Sequence, residues 1–308
     1  MKNLKVIFMG TPIFSVPILE GLIESYNVIA VVTQPDKPVG RGGNISVSPI
    51  KELALKNNIQ VLQPIKIRED YKSIIEMKPD IIITAAYGQI IPKEILDYPK
   101  YGCINVHASL LPKLRGGAPI HRAILNGMDK TGITIMYMNE GMDTGDIIST
   151  CEVSINDTDT MSMLHDKLSN MGKDLLIATL PNIITGNINR IKQDDSEATY
   201  AYNIKKEDEK IDFNKSKLDI YNQIRGLNSY PGAYAYLDNK RIKIWNSYIT
   251  DKTYDNLDNG CVSNIYKDGI GIKVSDGEVV ITDIQIEGKK RMLVSSIDKN
   301  SFKGKKLV

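Results

Sequence analysis

Three side chains in this sequence could together manage a proton and a developing negative charge: Asn105, His107 and Asp143. Asn105 and His107 close a short apolar run, Cys103-Ile-Asn-Val-His107, and alternation along a strand puts both on one face. An imidazole beside an amide donor can stabilise an oxyanion and move a proton. The next stretch, Leu110-Leu-Pro-Lys-Leu-Arg-Gly-Gly-Ala-Pro-Ile120, is irregular, so its backbone amides are open to a ligand. Asp143 lies in Asn139-Glu-Gly-Met-Asp-Thr-Gly-Asp146, a tight loop that presents a carboxylate. Near an imidazole a carboxylate holds the tautomer and favours the protonated ring. An Asx-type turn would use the same residues, and spacing alone leaves their meeting with His107 open. The other two histidines, His121 and His165, fall on helical patterns and are expected to be structural.

Elements able to place these groups are legible upstream and downstream. Leu4–Met9, Val28–Thr33, Ile81–Ala85 and Cys103–Val106 are short, almost wholly apolar and bounded by Gly, Pro or Asp, as buried strands are. Val16–Ser25, Ser48–Asn57 and Glu69–Met77 carry apolar residues at helical spacing between them. The alternation predicts a Rossmann-like parallel sheet covered on both faces, whose C-terminal strand edge is where Asn105 and His107 would emerge. Thr131–Met138 and Ile147–Val153 add two strands, and Thr160–Ile184 reads as a long helix. Beyond an acidic and lysine-rich stretch, short strands dominate: Ala233–Leu237, Ile242–Tyr248, Gly260–Tyr266, Gly271–Val274 and Val279–Ile286. They predict a small OB-like barrel. The expected organisation is a catalytic domain at 1–189, a linker at 190–208 and the barrel domain at 209–308.

Composition excludes several classes. The 308 residues are 42% hydrophobic and 25% charged, at globular averages, and long enough for about two cores. Cys103, Cys151 and Cys261 are far apart, so a disulfide framework or a cysteine-rich zinc site is not expected, and a reducing cytoplasm is. The opening apolar run is too short for a signal peptide or a membrane span. The first strand-to-helix turn, Gly10-Thr-Pro-Ile-Phe-Ser15, lacks the glycines of a dinucleotide fingerprint, which argues against a dehydrogenase. No Walker loop is present either. Net charge is only +2, but the last 20 residues hold seven basic side chains against Asp298. A basic edge on a small barrel suits a polyanion, and a solvated lysine-rich tail fits equally.

Asn105-Val-His-Ala-Ser-Leu-Leu-Pro-Lys-Leu-Arg-Gly-Gly-Ala-Pro-Ile120 closely resembles the signature of the formyltransferases that use 10-formyltetrahydrofolate. Met138–Ile148 resembles the loop carrying their aspartate, and Gly10–Leu19, Thr33–Gly42 and Ala85–Pro92 extend the match. The resemblance implies that Asn105, His107 and Asp143 are the catalytic set for attack of a free amine on the formyl carbon. Asn105 and His107 would stabilise the oxyanion, Asp143 would orient His107 and relay the amine proton, and no metal would be needed. It further implies that Ser109, Leu110, Leu111, Pro112 and Lys113 contact the folate. The pterin would lie between Tyr87, Gly88, Gln89 and Ile90 on one side and Asn139 on the other.

The wider match resembles the tRNA-acting members of that family, with initiator methionyl-tRNA as acceptor, a cytoplasmic location and a monomeric state implied. The Gln34–Pro49 loop, expected to lack secondary structure, is the length of a functional loop. By resemblance Arg41 would meet the acceptor-stem end, with Lys37 beside it. Gly42, Gly43 and Asn44 follow where relatives often carry further basic residues. On the barrel, Lys289, Lys290, Arg291 and Lys303 are the leading candidates for backbone contacts, with Lys240, Arg241, Lys243, Lys305 and Lys306 behind them. Two alternatives remain at this point. One is the same donor with an amino-sugar nucleotide or water as acceptor. The other is a non-catalytic RNA-binding module, which leaves the Asn105/His107/Asp143 set without a purpose.

Overall fold

Residues 3–39 and 44–308 are described by a computed structural model of the chain. The chain divides into two compact units: 1–119 with 131–153 and 165–202, and 120–130 with 154–164 and 203–308.

The first unit is built on a seven-stranded sheet. Its strands are β1 (Lys5–Gly10), β2 (Asn27–Val32), β5 (Gln60–Leu62), β6 (Ile81–Ala85), β7 (Cys103–His107), β8 (Lys130–Tyr137) and β9 (Ile147–Ser154); β3 (Lys37–Val39) and β4 (Asn44–Ser46) stand apart from it. The order across the sheet is β5-β2-β1-β6-β7-β8-β9. Pairings from β5 through β7 are parallel, and β8 joins β7 antiparallel. β1 and β6 are apolar on both faces because both faces are covered. One core cluster joins Ile7, Met9, Ala30, Val32 and Ile82 to Ile74, Ile95 and Tyr87. Helices α1 (Val16–Ser25), α2 (Pro49–Lys56), α3 (Lys72–Glu76) and α4 (Lys93–Leu96) connect the parallel strands, α5 (Pro119–Leu125) follows β7, and α6 (Met161–Thr185) follows β9. Pro17 sits in the first turn of α1 and Pro49 in that of α2, where the lost N–H costs nothing; the Ser48 hydroxyl caps α2 through the Lys51 amide.

The first strand-to-helix turn is filled by protein. Buried Ser15 donates to the Ala85 carbonyl at 2.6 Å, and a Cβ on Gly10 would fall 3.0 Å from that oxygen.

Two expectations need correction. The Gln34–Pro49 loop is not devoid of secondary structure, because β3 and β4 pair as an antiparallel ribbon. Its base is fastened by Asp36, which accepts from Lys51 at 2.5 Å and from Gln63 at 2.8 Å. The segment expected as linker is also held in part: Ile191 pairs with Ile147, Tyr200 with Arg115, and Gln193 and Ala201 are buried.

The second unit carries α7 (Lys206–Glu209), α8 (Lys217–Gly226) and strands β10 (Ala233–Leu237), β11 (Lys240–Thr250), β12 (Val262–Ile265), β13 (Ile270–Val274), β14 (Gly277–Ile286) and β15 (Met292–Leu293). The sheet runs β10-β11-β14-β13-β12, with β15 on β14, all antiparallel. The final residues bond both sheet edges: Val308 exchanges backbone bonds with Tyr236 of β10, and Val262 donates to Lys305. Covering both edges this way is consistent with a small barrel and explains why the lysine-rich terminus is not a loose tail. Ile220, Ile224, Ile244, Ile272, Ile281 and Phe302 fill its core.

Candidate active site

β7 delivers Asn105 and His107 to the C-terminal edge of the first sheet, with the intervening Val106 buried on the opposite face. Both side chains are oriented by neighbouring protein groups. Thr84, the neighbour of Asn105 across β6 and β7, donates to the Asn105 Oδ1 at 2.8 Å, which turns the amide nitrogen outward. His107 places Nε2 3.1 Å from the Leu114 carbonyl. A carbonyl only accepts, so Nε2 carries the hydrogen and Nδ1 faces the site.

Nδ1 faces Asp143. The carboxylate Oδ2 is 3.7 Å from it, close enough for attraction and too long for a direct hydrogen bond. Asp143 Oδ1 accepts from Asn105 Nδ2 at 3.4 Å, and Oδ2 accepts from the Gly116 amide at 2.8 Å. One carboxylate therefore gathers an imidazole, an amide and a backbone N–H, and the first two belong to the residues that the resemblance grouped with it. His107 is buried and Asp143 half-buried. Asp143 also sits at φ 53°, in the left-handed region that glycine enters freely and aspartate less often.

The residues after His107 form a stapled turn. Leu111 N–H donates to the Thr134 hydroxyl, which donates to the Ser109 carbonyl, and the buried Ser109 hydroxyl donates to the Lys113 carbonyl at 2.6 Å. Leu111 is buried, Leu110 and Pro112 are half-buried, and Lys113 is exposed. On the far side, Gly88 has φ 88° and Ile90 is exposed. Tyr87 is buried with its hydroxyl unpartnered, and burial pushes its pKa up to about 12. Gln89 turns inward, accepting from the Ile67 amide at 2.9 Å and donating to Pro64 and Ile65 carbonyls, so its part here is to brace the neighbouring loop. Asn139 caps its own loop, accepting from Gly141 N–H and the Thr144 hydroxyl.

The other expected residues lie elsewhere. Lys37 is exposed at the start of the β3–β4 ribbon, and Arg41 lies outside the described residues. In the second unit Lys289, Lys290 and Lys303 are exposed, whereas Arg291 is tied to Asp283 at 2.6 Å and lies 5.2 Å from the Trp245 ring. Lys305 and Lys306 are paired with Asp238 and Asp258, and Lys243 donates to the Pro231 carbonyl. His165 meets Asp166 at 3.0 Å and the edge of Phe14, a structural role. Sequence reading misses Thr84 and Gln193, and it offers the Gly116 amide to a ligand where the structure gives it to Asp143. Thr84 sits at a strand end beside Asn105 and is in principle findable.

Comparison with known proteins gives the family. Residues 2–180 match the family described as formyl transferase, and residues 203–301 match the formyl transferase C-terminal domain. The chain belongs to the formyl transferase family. Within it, this chain is 54% identical to the methionyl-tRNA formyltransferase of Geobacillus sp. (strain WCH70), covering 94% of this chain and 92% of that protein. It is 53% identical to the methionyl-tRNA formyltransferase of Bacillus subtilis (strain 168), with the same coverage. Among solved structures, the N-formyltransferase of Helicobacter canadensis, in complex with folinic acid and dTDP-3-aminofucose, superposes with TM-score 0.68 at 23% identity over 90% of this chain and 98% of its own. That likeness shows the fold.

Proposed function

We infer that this chain transfers the formyl group of 10-formyltetrahydrofolate to the free α-amine of methionine on initiator methionyl-tRNA, giving N-formylmethionyl-tRNA and tetrahydrofolate. The observation that carries this reading is the convergence of Asn105, His107 and the Gly116 amide on the carboxylate of Asp143. The folate supplies an activated formyl group at its nitrogen. The protein supplies position and charge. The Asn105 amide keeps a second N–H for the formyl oxygen as negative charge develops there. With its tautomer fixed through Leu114, His107 presents Nδ1 to the reacting amine. Asp143 stabilises the imidazolium when that nitrogen takes the proton released as the new N–C bond forms. The proton then goes to the departing folate nitrogen as its bond to the formyl carbon breaks.

Tyr87, Gly88, Ile90 and Asn139 would line the pterin side, with Ser109 to Lys113 beneath the donor. Lys37, Arg41, Lys289, Lys290, Arg291 and Lys303 would meet the tRNA, the lysines through phosphates. The protein acts in the cytoplasm, where charged tRNA is found, and as a monomer. Among the described residues no helix is long and apolar enough to cross a membrane.

The test is a transfer assay with 10-formyltetrahydrofolate and methionine-charged initiator and elongator tRNA. Rapid formylation of the initiator alone is the expected result. Transfer only to an amino-sugar nucleotide or to water would overturn the acceptor and leave the donor chemistry standing.

A further inference from the structure

A side chain in the stretch after α6 reaches the backbone of the proposed catalytic loop. Gln193 is 6% exposed, and its Nε2 donates to the carbonyls of Asp143 at 2.8 Å and Gly145 at 2.7 Å. Its Oε1 accepts from Arg115 Nε at 3.1 Å and Nη2 at 2.8 Å. A guanidinium only donates and a carbonyl only accepts, so Arg115 and the two loop carbonyls select the same orientation of the Gln193 amide. Arg115 is 2% exposed, and its Nη2 is shared with the Asp195 carboxylate at 2.7 Å.

The same stretch closes a ring. The residue after Arg115, Gly116, gives its amide to the Asp143 carboxylate, while the Arg115 side chain fixes the glutamine that holds the Asp143 carbonyl. Asp143 is thus gripped from both ends of the residue, at the carboxylate and at the carbonyl, in a left-handed conformation of φ 53°. Gly145 lies against the neighbouring strand, since a Cβ there would fall 1.9 Å from the Tyr137 carbonyl oxygen.

We propose that Gln193, its amide orientation locked by Arg115, is a positioning residue that holds Asp143 in its left-handed conformation, so that the carboxylate faces Asn105 and His107. It touches neither substrate. The proposal rests on the reading of Asp143 as a participant in formyl transfer.

The decisive experiment is a kinetic double-mutant cycle between Gln193→Glu and Asp143→Asn. Gln193→Glu keeps size and the Arg115 contact but replaces the Nε2 donor with an acceptor. In otherwise wild-type protein it should lower kcat about 10- to 100-fold, the scale of a misplaced catalytic group, with KM for both substrates within about twofold. In the Asp143→Asn background it should cost almost nothing further, because the two act as one unit. An unchanged kcat, or losses that multiply, would overturn the proposal, as a merely structural glutamine would weaken both backgrounds alike. Full turnover in Asp143→Asn alone would instead remove the underlying reading of Asp143. If Gln193→Glu fails to fold, Arg115→Lys, which keeps the charge and loses the fork, is judged by the same cycle.

Discussion

The two units each hold a carboxylate below the surface, and the two are finished to different degrees. In the second unit Glu278 is 0% exposed and accepts from four hydroxyls, those of Thr250, Tyr254, Ser263 and Tyr266, at 2.5 to 2.9 Å. Burial pushes its pKa up, but the donors from Ser263, Tyr266, Thr250 and Tyr254 outweigh that and hold it below the usual glutamate range. In the first unit Asp143 is half-buried, and its contacts comprise one short bond, one at 3.4 Å and one approach of 3.7 Å. On the proposed function, the difference separates a charge that specifies packing from one kept for a substrate. A fully satisfied carboxylate has no capacity left for a substrate, whereas Asp143 retains part of its own.

The largest effects should come from the unfinished site. His107→Ala or Asp143→Ala should lower kcat/KM by at least about 10³-fold, and Asn105→Ala by about 10²- to 10³-fold, in the transfer assay. Thermal midpoints should stay near wild type, because little apolar burial is lost. Next comes the backbone that supports it. Gly116 has φ 118°, and a Cβ there would lie 2.9 Å from the Ala201 carbonyl oxygen. Gly116→Ala should therefore move the amide that holds Asp143 and cost about 10- to 100-fold in kcat.

Glu278 should behave in the opposite way. Glu278→Ala should remove about 3 kcal/mol from the second unit in denaturant melts, by orphaning four hydroxyls, and change kcat less than about twofold. Its pH dependence follows from the direction of the shift. A carboxyl held low when folded, against an ordinary value of 4.5, stabilises the fold at higher pH. That contribution is lost as the pH falls below this value, and Glu278→Gln should flatten the acid limb of stability. The smallest effect is expected at Tyr87, whose hydroxyl has no partner: Tyr87→Phe should shift stability by no more than about 1 kcal/mol. A raised KM for the folate in that variant would place the hydroxyl on the donor.

Much of this is readable in the sequence because it depends on local pattern. β1, β6 and β7 are near-continuous apolar runs, α1 begins and ends where its proline and spacing say, and Asn105 and His107 share a face by alternation alone. What is not readable depends on contacts distant in sequence. α3 is shorter than the Glu69–Met77 pattern suggests, spanning Lys72–Glu76. The Gln34–Pro49 loop reads as unstructured because a ribbon of three-residue strands leaves no period to detect. Gln193 sits in a polar stretch that resembles a linker in composition, and only the Arg115 pocket, 78 residues away, gives it a purpose.

The path of the chain after α6 has a consequence for recombination. Thr199 to Ala201 run beside Leu114 to Ala118, joined by the bonds Arg115–Thr199, Ala201–Arg115 and Ala118–Ala201. A crossover between two homologous genes at residue 189 would look clean on the sequence, yet it would mate one parent's Gln193 and Ala201 with the other's Arg115, Gly116 and Asp143. A junction beyond Tyr202 keeps all segments of the first unit from one parent, so functional chimaeras should be more frequent there than at residue 189.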